Sequence, residues 1–254
     1  MPGTWKQVTH CLIDHAVLTS YLPRIFCSAF CSDARIGELV HVTVNSVNNC
    51  PYCTGLHGEL ARMAGVEDSE KLMVAKTENE ACALVKNRPE DLPYVKFART
   101  FAQSNGFGIG PAFEDLATAV GAGPAKTTLA LCWFLHWGSF GGNTLNNACK
   151  KPSLFGTIFF LYYFVLFGII TVVSKILKLF PSGGPKFFSG LMNATLPVVA
   201  GIWVVPLGIL GAPLALTCGD SIRDKATLKC RTIMNPAAES PASAAEDNKG
   251  TRIP

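Results

Sequence analysis

Charge is what this sequence has least of. Charged residues make up 16% of the 254 positions, against about 25% in an ordinary soluble domain. The deficit is local. Pro152 to Ser174 contains no Asp, Glu, Lys, Arg or His, and Phe187 to Gly219 contains no ionisable residue except Cys218. A basic excess is also missing where a nucleic-acid binder needs one. Through Lys151 there are 13 Lys+Arg against 13 Asp+Glu; after it there are nine against five, which accounts for the whole net charge of +4. Nucleic-acid proteins carry their basic patch on the binding domain, so that reading loses its main support and no nucleic-acid partner is expected. There is no Gly-X-Y period and no long heptad run, which excludes collagen and coiled coil. With 49% hydrophobic residues, wholesale disorder is excluded too.

The charge-free runs read as membrane segments. About 20 helical residues cross a ~30 Å hydrocarbon slab, and the first run, about 153–174, is long enough. Lys150 and Lys151 flank it on one side, Lys175 and Lys178 on the other, as is usual at membrane edges. Tyr162 and Tyr163 fall near its middle, away from the interfacial belt where tyrosines collect. A buried core helix is the competing reading. The second run, about 187–217, is interrupted by Pro197, Pro206 and Pro213 and by Gly201, Gly208 and Gly211. It reads as a kinked span, a re-entrant hairpin or an interfacial segment. Phe180 to Pro185 is a turn signal between the two.

The expected layout is therefore a helical domain over 1–150, a membrane region over 151–219, and a basic juxtamembrane piece with a disordered tail over 220–254. Met1 to Phe30 shows no continuous apolar stretch behind a basic start, so no cleaved signal is expected and the internal runs would direct membrane entry.

Ten cysteines are present without the regular spacing of a secreted disulfide framework. Cys27 and Cys31, one helical turn apart, read as structural. Cys50 and Cys53 differ. Asp33 is expected to cap a helix over Ala34 to Val47, and Asn49 to cap a second one beginning Cys50-Pro51 and stopping at Gly65. Both thiols then sit in a first helical turn, where the dipole and free N–H groups favour a thiolate. His57 follows Cys53 by four residues and shares its face, where it can take and return the thiol proton. Glu38, on the preceding helix, can fold back to hold that imidazole.

Other chemistries fit less well. Cys-X2-Cys-X3-His supplies three zinc donors, but no obvious fourth accompanies them. Haem attachment needs His directly after the second Cys, and Thr54 stands there. Bland core packing is the third alternative. A redox Cys-X-X-Cys pair with a local base is what remains. His41, one turn after Glu38, reads as a packed or solvated residue that could border the site. His136 reads as a core or interface residue, Gly106-X-Gly108-X-Gly110 as a loop, and Glu59, Glu78 and Glu80 as solvated helix faces.

Taken together, Glu38, Asn49, Cys50, Cys53, His57, Ala61-Arg62 and Gly65 resemble the signature of the alkylhydroperoxidase D-like group within the carboxymuconolactone decarboxylase superfamily. The likeness extends loosely through Tyr94 to Phe101, Phe113 to Gly121 and Lys126 to Asn147. It covers about 21–147 and stops before the apolar runs. It implies an all-α domain assembling into trimers or larger rings, and a thiol peroxidase or disulfide reductase cycle without cofactor or metal. In that cycle Cys53 attacks the peroxide, Cys50 resolves the sulfenic acid, and His57 and Glu38 relay protons. A dithiol, lipoyl or thioredoxin-like, reduces the disulfide. Some members carry a His where this chain has Tyr52, so the relay is shorter here. The decarboxylase branch lacks the Cys pair, which argues against lactone decarboxylation.

The expectation is thus a membrane-anchored, antioxidant thiol peroxidase with its redox domain on a reducing (cytosolic, stromal or matrix) side. The alternatives are a general thiol-disulfide oxidoreductase and a non-catalytic oligomerisation scaffold at a membrane.

Overall fold

A computed structural model describes residues 12, 14–26, 33–106, 108–150, 154–181 and 186–217. Among these every regular element is helical, as expected for an all-α protein. In chain order they are α1 (14–26), α2 (Ala34–Asn48), α3 (Pro51–Ala64), α4 (Ser69–Val74), α5 (Glu78–Leu84), a 3-10 turn (Pro89–Asp91), α6 (Leu92–Ser104), α7 (Gly110–Val120), α8 (Ala122–Lys150), α9 (Leu154–Leu177) and α10 (Lys186–Thr217). Cys27, Cys31 and the tail over 220–254 lie outside the described residues.

α2 is the central element. Gly37 through Ser46 are all buried, because α3, α4, α6 and α8 pack around it. A helix covered on all sides has no solvated face on which to place its polar residues. Glu38, His41 and Asn45 are therefore forced to find partners inside. Asp33 caps α2 through a hydrogen bond from Arg35 N. The Arg35 guanidinium also grips the Asp91 carboxylate with two bonds of 2.6 and 2.8 Å. Arg99, buried on α6, donates to Ser46 Oγ and to the carbonyls of Ala75 and Lys76.

The α2–α3 junction departs from the expected capping by one residue. Asn49 does not start α3; it closes α2 in the left-handed region (φ 52°). Cys50 is the cap of α3, its Sγ accepting from Cys53 N at 3.3 Å, with Pro51 in the first turn. Asn tolerates that left-handed conformation at low cost, and a cysteine sulfur can fill the capping role. Gly65 ends α3 as expected, at φ 81°.

The two charge-free runs form α9 and α10. Among the described residues no helix is long and apolar enough to cross a membrane. α9 lies alongside α3 and α8, burying Tyr163, Leu166, Phe167 and Leu177. The midpoint tyrosines serve this packing. Tyr163 Oη lies 3.0 Å from His15 Nε2 of α1, and Trp137 Nε1 of α8 donates to the same nitrogen at 2.8 Å. Tyr162 donates to the Trp203 carbonyl, and Trp203 Nε1 donates back to the Tyr162 carbonyl at 2.8 Å. α10 runs as one helix through its three prolines, not as a re-entrant hairpin. Its Gly208 marks a close approach to α1 at Thr19. At the far end of α9, Arg62 of α3 donates to the carbonyls of Leu177 and Phe180 at 3.2 and 2.8 Å. The Leu177 carbonyl also accepts from Phe180 N at 3.1 Å, so Arg62 adds a second bond at this helix end. Leu161, Phe164, Val165, Val172 and Ile176 of α9, and Ile202, Ile209 and Leu210 of α10, face outward.

Candidate thiol site

The site is assembled at the crossing of α2 and α3, with α8 and α9 closing it. Asn45 fixes the turn that carries the first cysteine. Its Oδ1 accepts from Cys50 N at 3.1 Å, and its Nδ2 donates to Thr54 Oγ1 at 2.7 Å and to the Cys50 carbonyl at 3.4 Å. Asn143 of α8 holds the same turn from outside by donating to the Asn48 carbonyl at 2.8 Å.

Cys50 and Cys53 are both buried and not disulfide-bonded, and Cys50 Sγ accepts from Cys53 N at 3.3 Å. The two thiols differ in acidity. The neighbouring Cys53 side chain brings the Cys50 thiol below the ordinary range against the opposing effect of burial, helped by the N–H groups of Cys53 and Tyr52. Burial pushes the Cys53 thiol well up, and the neighbouring Cys50 adds to it, while Ser139 Oγ, 3.7 Å from Cys53 Sγ, works against it. The helix-start effect expected for both cysteines thus falls on Cys50, the capping residue, because it receives the N–H groups. Of the two, Cys50 is the more acidic thiol.

Glu38 does fold back. His57 Nδ1 is 2.9 Å from Glu38 Oε2, and both side chains are buried. Burial alone would raise the Glu38 carboxyl; the charge and hydrogen bond of His57 and the nearness of His41 outweigh it and bring it to about 2. His41 packs into the same cluster, its ring centroid 4.4 Å from that of His57. Burial, reinforced by the His57 charge, lowers its pKa against the pull of Glu38. Among the described residues, Glu38, His41 and His57 have donor atoms close enough to share an ion. Cys50 and Cys53 lie outside that set, so the Cys-X2-Cys-X3-His zinc arrangement is not formed.

Cys53 and His57 open onto a cavity of about 240 Å³. Phe134 and Trp137 of α8, Leu166, Phe167 and Ile170 of α9, and Val199 of α10 form much of its wall. Cys50 does not line it. Its sulfur lies on the other side, where Gly142 of α8 makes room: a Cβ there would stand 2.5 Å from Cys50 Sγ. Tyr52, at the position where some relatives of the resembled family carry His, leans on Phe167 with ring centroids 5.0 Å apart.

The four residues singled out from sequence are thus brought together as two contacting pairs. Ser139, Asn45, Gly142 and the α9 wall were not anticipated. Asn45 left little signal, since it is one of several polar residues between Val40 and Val47. Ser139 left none. His41, read as packed or solvated, is packed and borders the site. Glu59, expected to be solvated, instead pairs with Arg62 Nε at 2.9 Å. Glu80 is exposed as expected and closes a capping box with Thr77.

No family model matches the chain, and neither a curated protein nor a solved structure matches it.

Proposed function

We propose that the protein is a thiol-dependent peroxidase acting on hydroperoxides with an apolar body. The observation that carries this reading is the apolar cavity that ends on Cys53 and His57, with Glu38 bonded behind the imidazole. A peroxide seated there meets a sulfur, a proton carrier and little water.

The cycle balances as follows. The Cys53 thiol gives up its proton, with His57 as the nearby acceptor, and its sulfur attacks the outer peroxide oxygen. The O–O bond breaks, the alcohol leaves with a proton, and Cys53 becomes a sulfenic acid. Cys50, already poised as the more acidic thiol, attacks that sulfur; water leaves and the disulfide forms. An external dithiol, lipoyl or thioredoxin-like, restores both thiols by exchange. Glu38 holds His57 in one tautomer and balances its charge when it carries the proton.

Membrane association is part of the proposal. The outward residues of α9 and α10 form an apolar face, and Lys175 and Lys178 sit exposed at one end of α9. Such lysines lay their stems on apolar surface and keep their charge in water. Because α9 is docked on α3 and α8, this face would lie on lipid while the helix remains a wall of the site. A trimer or larger ring, with the redox site on the reducing side, completes the reading.

A second reading draws on the acidity of Cys50. A more acidic first cysteine of Cys-X-X-Cys is suited to attacking disulfides, which favours a general thiol-disulfide oxidoreductase. One experiment separates the two: purified full chain in detergent, reduced, then given either a long-chain hydroperoxide or a mixed disulfide. Stoichiometric oxidation within seconds by the peroxide, lost in Cys53→Ser, supports the peroxidase. Oxidation by the disulfide alone, lost in Cys50→Ser, supports the second reading and refutes the first.

A further inference from the structure

The Glu38–His57 pair accounts for one oxygen and one nitrogen of a larger cluster. Glu38 Oε1, His41 Nδ1 and His41 Nε2 are buried and have no hydrogen-bond partner. Buried polar atoms are almost always satisfied, because leaving one without a partner costs its full desolvation. Here three such atoms fall on two residues one helical turn apart, facing a third donor residue. Their ligand atoms lie within 4.8 Å of one another.

The spacing suits one ion. Donors about 2.1 Å from a tetrahedral metal lie about 3.4 Å apart. Glu38 Oε1 to His41 Nδ1 is 3.6 Å and Glu38 Oε2 to His57 Nδ1 is 2.9 Å. Two imidazoles and one carboxylate form a borderline donor set, the kind taken by Zn²⁺, Fe²⁺ or Co²⁺. Mg²⁺ and Ca²⁺ prefer oxygen. Three protein ligands leave a coordination position open, and His57 borders the cavity through which an ion can enter.

We infer that Glu38, His41 and His57 form a binding site for one divalent transition-metal ion. Binding of the ion does not depend on the peroxidase reading; its effect on thiol chemistry rests on that reading. The ion would take the lone pair of His57 and the Glu38 carboxylate, so the metal-loaded protein should be slow in thiol chemistry. The site would then be a metal-controlled brake on the same imidazole.

The test uses full-length protein in detergent with Cys50 and Cys53 both changed to Ser, which removes thiolate ligands and the redox reaction together. Titration with Co²⁺ should show one equivalent bound, with visible bands of a four- or five-coordinate N/O site and no sulfur charge-transfer band. His41→Gln and Glu38→Gln should each weaken binding at least tenfold. X-ray absorption of the Zn²⁺ form should show imidazole and oxygen neighbours; this reads the ligands directly, even if a variant folds poorly. Absence of saturable Co²⁺ binding at micromolar concentration, meaning a cluster satisfied by water alone, would overturn the inference. So would binding that survives His41→Gln unchanged. Neither result bears on whether Cys53 reduces peroxides.

Discussion

The two halves of the site solve opposite problems. The α2–α3 half buries polar groups, including an ionised glutamate, two histidines and two thiols, inside a helix bundle. The α9–α10 half carries almost no charge, yet leaves a row of large apolar residues facing outward. One side spends stability on chemistry and the other supplies an apolar wall and an apolar exterior. Their meeting line is the cavity at Cys53. The lesson is that the C-terminal helices are part of the site rather than a detachable anchor, since Phe167, Ile170 and Val199 border the same space as His57.

The comparison can be broken most severely at the buried acid. Glu38→Gln removes the charge that partners His57 within the bundle. Breaking a buried pair by removing one member costs about 3–5 kcal/mol, and equilibrium unfolding should show a loss of that size. With His57 no longer held and balanced by a carboxylate, peroxide consumption should slow as well. An unfolding midpoint equal to wild type would show that the cluster is not structural.

Next in size is the wall. Phe167→Ala empties a fully buried position shared by Tyr52, Tyr163 and the cavity, and should cost about 3–5 kcal/mol as measured by denaturant unfolding. It should also weaken discrimination between long-chain and short hydroperoxides. Gly142→Ala acts on the other side of the pair. The added methyl would collide with Cys50 Sγ and crowd Phe167 and Tyr52. Overpacking of this kind costs about 1–3 kcal/mol. Sulfenic acid on Cys53 should then persist longer, visible as increased trapping by dimedone.

Acid offers a graded version of the same comparison. Glu38 has a folded pKa of about 2, below its unfolded value, so its stabilisation is present above the unfolded pKa and fades as pH falls toward 2. His41 is held below its ordinary value, so the folded state binds fewer protons there as well, and stability falls as pH drops through the histidine range. Both act in the same direction. Unfolding monitored from pH 7 downward should show a falling midpoint beginning near pH 6.5; a flat profile to pH 4 would contradict this. The smallest effect expected is that of Arg62→Ala, which releases the carbonyls of Leu177 and Phe180. It should loosen the end of α9 and cost about 0.5–1.5 kcal/mol, detected as faster amide exchange in α9.

Much of the α2–α3 half was legible in sequence because local rules decide it. Asp33, Pro51 and Gly65 mark helix ends by their backbone preferences, and the i,i+4 spacing puts Cys53 and His57 on one face. The Glu38–His57 contact was an inference from a hairpin and is realised at 2.9 Å. The acidity order of the thiols was not legible. It depends on which cysteine receives the α3 N–H groups, and the capping position shifted by one residue from Asn49 to Cys50. The role of α9 was also hidden. A charge-free run looks alike whether lipid or protein covers it, and only tertiary packing shows Tyr163 buried against His15 and Trp137. Ser139 and Gly142 come from α8, nearly ninety residues beyond the cysteines, and no local spacing connects them to the motif.

The central claim is that Cys53 faces the peroxide and Cys50 resolves it. The most direct measurement is rapid-mixing oxidation of the reduced full chain by a long-chain hydroperoxide, followed by mass analysis of Cys50→Ser and Cys53→Ser. The account predicts a stable sulfenic acid on Cys53 in Cys50→Ser, a Cys50–Cys53 disulfide in wild type, and no rapid oxidation of Cys53→Ser. Sulfenic acid forming first on Cys50, or equal oxidation rates in all three proteins, would contradict it.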